Sequence, residues 1–246
     1  MYPGHVPRIL KEIHSGDLVL DVGGWASPFR RATHVIDLMP YETRGQYGSL
    51  LSDMPEHFTR DTWVRRDLCD RTPFPFPDKY FNFVICTQTL EDLRDPIWVY
   101  AELVRIGQRG YIEVPSRRLE MTRGVESLRY AGHYHHRWLI DVEGDTLTFH
   151  FKTSLVNESW RYHLPPREFD RLPQEKRMSS LFWYGTFNFC EQITIEYEQV
   201  KRDLAAYVRQ QAVYSIWRYR LSDISSGVAR RLPRLRRWYR RWWPLA

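Results

Sequence analysis

The sequence predicts an α/β fold in which a mostly parallel, doubly wound sheet carries helices on its faces. Short, continuous apolar runs alternate with helical or loop segments through the first 120 residues. The first of these runs ends in a glycine pair, the pattern of a buried parallel strand that meets a tight turn. A stretch with helical spacing, Pro96 to Ile106, stands between two later runs with Asp95 ahead of it, which reads as a capped crossover helix. Strands that alternate with crossovers argue for a parallel sheet covered by helices.

The first strand is Asp17-Leu18-Val19-Leu20-Asp21-Val22, closed by Gly23-Gly24. His34-Val35-Ile36-Asp37 is a second, short strand that ends in a carboxylate, and Trp63 to Asp67 is a weaker third. Phe81 to Cys86 is a strong fourth, followed by Thr87, and Gly110 to Pro115 is a fifth. After Pro115 the pattern changes. Trp138 to Val142 and Thr146 to Phe151 flank Glu143-Gly144-Asp145, the signature of an inserted β-hairpin. Ser180 to Tyr184 and Gln192 to Tyr197 read as a further antiparallel pair, with a helix from about 198 to 220 behind them. The expected organisation is a single domain over 1–221, with a cofactor half at about 15–120 and an acceptor half at about 121–221. A basic tail follows at 222–246.

In an open parallel sheet, ligands bind at the carboxyl ends of the strands, beside the point where the strand order reverses. Gly23-Gly24 falls there, where a missing Cβ lets backbone approach a ligand. Asp37 ends the second strand, where a carboxylate accepts both hydroxyl protons of a ribose. Asp67 closes the third strand, in reach of an adenine amino group, with Leu68 to cover the ring. Asp21, inside the first strand, and Thr87, at the end of the fourth, complete the candidate cofactor set.

At this point the chain resembles the class I S-adenosylmethionine-dependent methyltransferases, particularly the type 11 branch. The resemblance rests on LVLDVGGWASPF (Leu18 to Phe29), VIDL (Val35 to Leu38) and RDLCD (Arg66 to Asp70). Its longest part is Pro73 to Arg117, PFPFPDKYFNFVICTQTLEDLRDPIWVYAELVRIGQRGYIEVPSR. It covers about residues 15–120 and implies a Rossmann-like sheet of seven strands with an antiparallel last strand. The residues at 180–197 would supply the last two strands. The implied cofactor is S-adenosylmethionine. The family's first loop carries three glycines; here it reads Gly23-Gly24-Trp25-Ala26-Ser27-Pro28, and Asp92 stands where the family often has His. A nicotinamide-dinucleotide enzyme would require G-x-G-x-x-G, which this loop does not contain.

Methyl transfer to a hydroxyl needs a group that removes a proton, and imidazole suits the task near neutral pH. His133, His135 and His136 cluster after the fifth strand, and His135 and His136 are the candidate catalytic residues. Surface or hairpin-packing histidines are the plainer alternative. Glu91, Asp92 and Glu113 are other polar groups near strand ends. No metal site is expected, because three histidines without a placed carboxylate are a weak ligand set. The aromatic second half (Trp160, Tyr162, Phe182, Trp183, Tyr184, Phe187) suits either a pocket lining or core. The expected activity is methyl transfer to a small-molecule or glycan-type acceptor. A methyltransferase-like binding or assembly protein without turnover is the alternative.

Hydrophobic residues at 43% and charged residues at 27% are ordinary for a globular chain. No apolar run has spanning length and no signal-peptide pattern opens the sequence, so a cytoplasmic protein is expected. Cys69, Cys86 and Cys190 match no metal or redox spacing, which fits a reducing compartment. The net charge of +6 resides in residues 222–246, which hold seven Arg and one Asp. A charge confined to a tail disfavours a nucleic-acid surface across the body. On a helical wheel Val228, Leu232, Leu235, Trp238, Tyr239, Trp242 and Trp243 gather opposite most of the arginines. That pattern suits an anionic membrane surface at the inner face, an acidic partner, or docking on the protein's own body. Co-sedimentation with anionic vesicles tests this: a membrane-binding tail makes the full chain pellet, and a chain ending at Ser222 stays in solution.

Overall fold

The computed structural model describes residues 1–48, 51–211, 221 and 224. Apart from Ile224, the expected tail lies outside them, as does most of the expected helix beyond 211. The described chain divides into two compact units. One comprises Met1–Pro115, Arg137–His150 and Met178–Gln192; the other comprises Ser116–His136, Phe151–Arg177 and the residues from Ile193 onward.

The first unit is built on a six-stranded sheet. Its strands are β1 (Val19–Val22), β2 (His34–Asp37), β3 (Trp63–Arg65), β4 (Phe83–Thr87), β5 (Arg109–Pro115) and the later β8 (Met178–Tyr184). The order is β3-β2-β1-β4-β5-β8, with the first five strands parallel and β8 antiparallel to β5. The doubly wound, mostly parallel α/β class is the one the sequence predicts. The strand count differs, with six in place of seven, because the segment after β8 pairs elsewhere. That segment, β9 (Asn188–Gln192), runs parallel to β7 (Thr146–Phe151), which neighbours β6 (Trp138–Glu143) in a separate three-stranded sheet. The inserted hairpin is therefore present as β6 and β7. The expected antiparallel pair is not: Ser180 to Tyr184 lies in β8, which pairs with β5, whereas 193–196 form no strand and Tyr197 opens a helix, and the nearby strand β9 ends at Gln192 and pairs with β7.

Period-2 alternation explains why both faces of the main sheet are apolar. Along β4, Phe83 and Ile85 face a cluster with Val19, Val35 and Tyr111, and this cluster is closed by Ile9 and Ile13 around α1 (Val6–Glu12). Val84 and Cys86 face the opposite cluster, which is closed by Val99, Leu103 and Ile106 of α2 (Pro96–Ile106) and by Ile140, Leu147 and Phe149 of the hairpin. Trp183 and Phe187 are buried in this second cluster, so core is the fate of those two aromatics, whereas Tyr184 is exposed. The helix α2 starts as its sequence predicts: Asp95 accepts the Trp98 N–H at 3.0 Å, and Pro96 takes the first turn.

The second unit carries α3 (Arg117–Glu120), α4 (Arg167–Arg171), α5 (Gln174–Arg177) and α6 (Tyr197–Gln211). Ser116 caps α3, its hydroxyl accepting the Leu119 N–H at 3.2 Å. In α6, Leu204 and Val208 form the buried stripe, and Arg117 stacks on Tyr207 at 4.4 Å. Among the described residues, no helix is long and apolar enough to cross a membrane.

The Pro73–Asp78 segment, prominent in the sequence, is fastened by Arg105 and its ion pairs with Glu102 and Asp78. Glu102, 4% exposed, accepts the Phe74 N–H at 2.6 Å and two bonds from Arg105 at 2.7 Å. The same guanidinium donates to the Phe74 and Phe76 carbonyls and to Asp78. Removing one partner of such a pair leaves a buried charge without its counter-ion. Arg105→Ala is expected to cost about 3 kcal/mol in urea unfolding, and the double change Glu102→Gln, Arg105→Met to cost clearly less.

Candidate functional site

At the carboxyl ends of β1, β2 and β4, the chain places a group of polar residues around one tight turn. Gly23 has φ +75 and donates its N–H to the Ile36 carbonyl at 2.9 Å, which ties β1 to β2 just past their ends. A Cβ at Gly23 would overlap the Thr89 side chain, and one at Gly24 would overlap the Asp21 carboxylate. Both glycines are thus required by close packing, and Gly23 also by its left-handed backbone. Thr89 donates to the Thr87 carbonyl at 3.0 Å, so Thr87 enters this group through its backbone.

The two strand carboxylates serve the turn. Asp21 Oδ2 accepts the Phe29 N–H at 2.8 Å, while Asp37 accepts the Trp25 N–H at 3.0 Å and the Met39 N–H at 2.8 Å. The loop from Gly23 to Phe29 is thereby folded over both. Burial pushes the Asp21 carboxyl up to about 7; the Phe29 N–H opposes the shift and the neighbouring Asp37 charge adds to it. Asp37 is also raised by burial, against the pull of its backbone N–H partners. The turn after β4 is unusual as well: Gln88 has φ +53, and its N–H is anchored on the Glu113 carbonyl at 2.9 Å.

The structure thus brings Asp21, Gly23, Gly24, Asp37 and Thr87 into one neighbourhood. The other two candidates are engaged otherwise. Asp67 is exposed, accepts the Cys69 N–H at 2.9 Å and pairs with Arg94 at 2.8 Å. Leu68 is 5% exposed and belongs to the core cluster of α2. Glu113 is buried and accepts from Tyr111 Oη at 2.5 Å and the Tyr2 N–H at 2.7 Å.

The histidine segment belongs to the second unit, where it meets a carboxylate that the sequence reading did not single out. Glu120, 1% exposed, lies 2.7 Å from His133 Nδ1, 3.0 Å from His136 Nδ1 and 2.6 Å from Lys152 Nζ. Burial would raise this carboxyl, but the two imidazoles and the ammonium outweigh it and hold Glu120 well below the usual carboxylate range. His136 is buried, while His135 is exposed, its ring centroid 4.6 Å from that of His136. A cavity of about 340 Å³ is lined by His133, His136, Lys152, Tyr130, Tyr134 and Thr153, among others. Glu120 stands 13 residues before His133 and 32 before Lys152, and neither Glu120 nor Lys152 carries a motif, so only the fold reveals their meeting.

The protein-family comparison matches residues 6–151, more than half of the chain, to the family described as methionine biosynthesis protein MetW. The chain belongs to the MetW family. No match is found among curated proteins. Among solved structures, an S-adenosylmethionine-dependent methyltransferase from Mesorhizobium loti is 18% identical over 62% of this chain and 66% of its own, with TM-score 0.36. The YcgJ protein of Bacillus subtilis is 19% identical over 47% and 50%, with TM-score 0.35. A methyltransferase of Methanosarcina mazei is 16% identical over 55% and 86%, with TM-score 0.34. The chain spans about half the length of several such structures, 53% and 52% in two of them. Likeness at this level carries nothing about substrate. Within this MetW-family chain, the mostly parallel sheet with an antiparallel edge strand is of the kind implied by the resemblance to class I methyltransferases.

Asp21 makes a pH test. Its folded value, about 7, lies above the ordinary aspartate value of 3.8, so between these pH values the native chain holds a proton that the unfolded chain has lost. Stability contributed by this group is therefore present below pH ~4, falls as pH rises toward 7, and is flat beyond. Asp21→Asn keeps an acceptor for the Phe29 N–H and removes the ionisation. The variant is expected to unfold at higher temperature than the wild type at pH 8, by the equivalent of about 4 kcal/mol, with the gap narrowing as pH falls and closing below pH ~4.

Proposed function

We propose that the chain is an S-adenosylmethionine-dependent methyltransferase acting on a small-molecule or glycan-type acceptor. The observation that carries this reading is Asp37, at the end of β2 and against the Gly23-Gly24 turn, beside the point where the strand order reverses from β1 to β4. In an open parallel sheet that is the ligand crevice. Each Asp37 oxygen already accepts one backbone N–H, and each keeps a second lone pair for a ribose hydroxyl. The residues present therefore fit the cofactor. Thr87 and the Gly23 backbone would lie beside its methionine end.

Bound cofactor supplies a sulfonium methyl open to in-line displacement by the acceptor oxygen. The chain's own part is to orient the two reactants and to accept the acceptor's proton. Of the two histidines singled out in the sequence, His136 is committed to Glu120. We assign the proton-accepting role to His135, whose ring is exposed. The loop's closure over Asp37 favours a second reading, a methyltransferase-like protein that binds without turnover.

Calorimetry with S-adenosylmethionine tests the cofactor assignment. Wild type is expected to bind it, and Asp37→Ala to bind more weakly by about 1.5 kcal/mol or more, the order expected for lost charge-assisted hydrogen bonds. Equal affinity would remove Asp37 from the site. Binding with no methylated product across small-molecule and glycan acceptors would favour the second reading.

A further inference from the structure

We propose that Glu120, His133 and His136 form a binding site for a divalent transition metal of the zinc class. One carboxylate oxygen and two imidazole nitrogens all lie within 4.8 Å of one another. This donor set suits zinc, and equally cobalt, nickel or ferrous iron. The local fold explains the convergence: the Ser116-capped turn of α3 ends at Glu120, and Gly132 donates its N–H to the Thr122 carbonyl at 2.8 Å. The histidine segment is thereby brought back over the carboxylate.

The contacts also show what a metal would replace. Glu120 Oε1 lies 2.7 Å from His133 Nδ1, a hydrogen bond, and 3.0 Å from His136 Nδ1. Ligand atoms around a four-coordinate zinc with bonds of about 2.0–2.1 Å lie roughly 3.3 Å apart. The required opening is about half an ångström, and the His133 side chain, 29% exposed, has room to make it. Lys152 stays on the other oxygen, Oε2, at 2.6 Å. It therefore holds Glu120 as a one-oxygen ligand with its orientation set, as partners behind metal-binding groups commonly do. Three protein ligands beside a cavity of about 340 Å³ leave coordination positions open to water or a small molecule.

Binding requires each ligating Nδ1 to be free of its proton, which moves to Nε2 in a neutral imidazole or to the buffer from an imidazolium, so comparing buffers counts any proton released. The experiment uses the full chain, stripped with chelator and titrated with Zn²⁺ alone by calorimetry in two buffers of different ionisation enthalpy. Co²⁺ substitution is followed by its visible absorption. A single metal ion per chain, with the absorption of low-coordinate Co²⁺, is expected. His133→Ala and His136→Ala should each weaken uptake at least about ten-fold. The histidine variants carry the test because Glu120→Gln would leave Lys152 buried without its partner. Failure of the wild type to take up metal, or undiminished uptake by either histidine variant, overturns the site. No S-adenosylmethionine is present, so the outcome is independent of the methyltransferase reading.

Discussion

A parallel sheet covered on both faces tolerates polar side chains chiefly at the ends of its strands, and this chain is organised around that constraint. Val19, Leu20 and Val22 of β1 and Phe83 to Cys86 of β4 are all buried, so alternation divides them between two cores and leaves no solvated face. Carboxylates and hydroxyls accumulate where the strands stop: Asp37 after β2, Thr87 and Thr89 after β4, Glu113 near the end of β5. Asp21 is the exception, a carboxylate inside β1, and its raised pKa records what the position costs. What it gains is the Phe29 N–H, which draws the Gly23–Phe29 loop down over the strand ends.

Glycine and aspartate at this turn depend on each other. With any side chain at 24, the Asp21 carboxylate loses its place; with any at 23, the Thr89 hydroxyl does. The absent Cβ atoms are thus filled first by the protein's own polar groups, and a ligand would meet a turn that is already braced. This differs from a loop whose glycines face open space, and it explains how two glycines, with Ala26 beyond them, can serve where three are usual in similar sequences.

Local pattern made the first half of the chain legible. Continuous apolar runs marked β1, β2, β4 and β5, and Asp95-Pro96 marked the start of α2, because each depends on neighbours in sequence. The turn residues Gly23 and Gly24 and the carboxylates at 21 and 37 were legible for the same reason. Pairing choice was not. The segment after β8 has strand character, but whether it extends the main sheet or joins β7 is decided by Phe187 and Phe189 packing against Tyr100 of α2, with ring centroids 4.0 and 3.8 Å away. Leu68 lies in the core cluster, and apolar character alone does not separate a ring cover from a core residue. The partners of the histidine segment lay beyond reach because Glu120 sits in a short helix whose sequence reads as ordinary surface.

Asp21 and Glu120 show why burial alone does not predict the behaviour of a carboxylate. Both are nearly inaccessible, at 2% and 1% exposure. Asp21 has one backbone N–H, a second carboxylate nearby, and a pKa driven upward. Glu120 has an ammonium and two imidazoles against its oxygens and is driven downward. The desolvation penalty has the same sign at both; the number and charge of donors decides the outcome. A carboxylate held ionised among basic groups keeps its lone pairs directed at fixed points. Such preorganisation is needed equally for orienting an imidazole and for binding a cation. Metal uptake differs from a purely structural ion cluster only in whether the imidazole protons leave when a metal is offered.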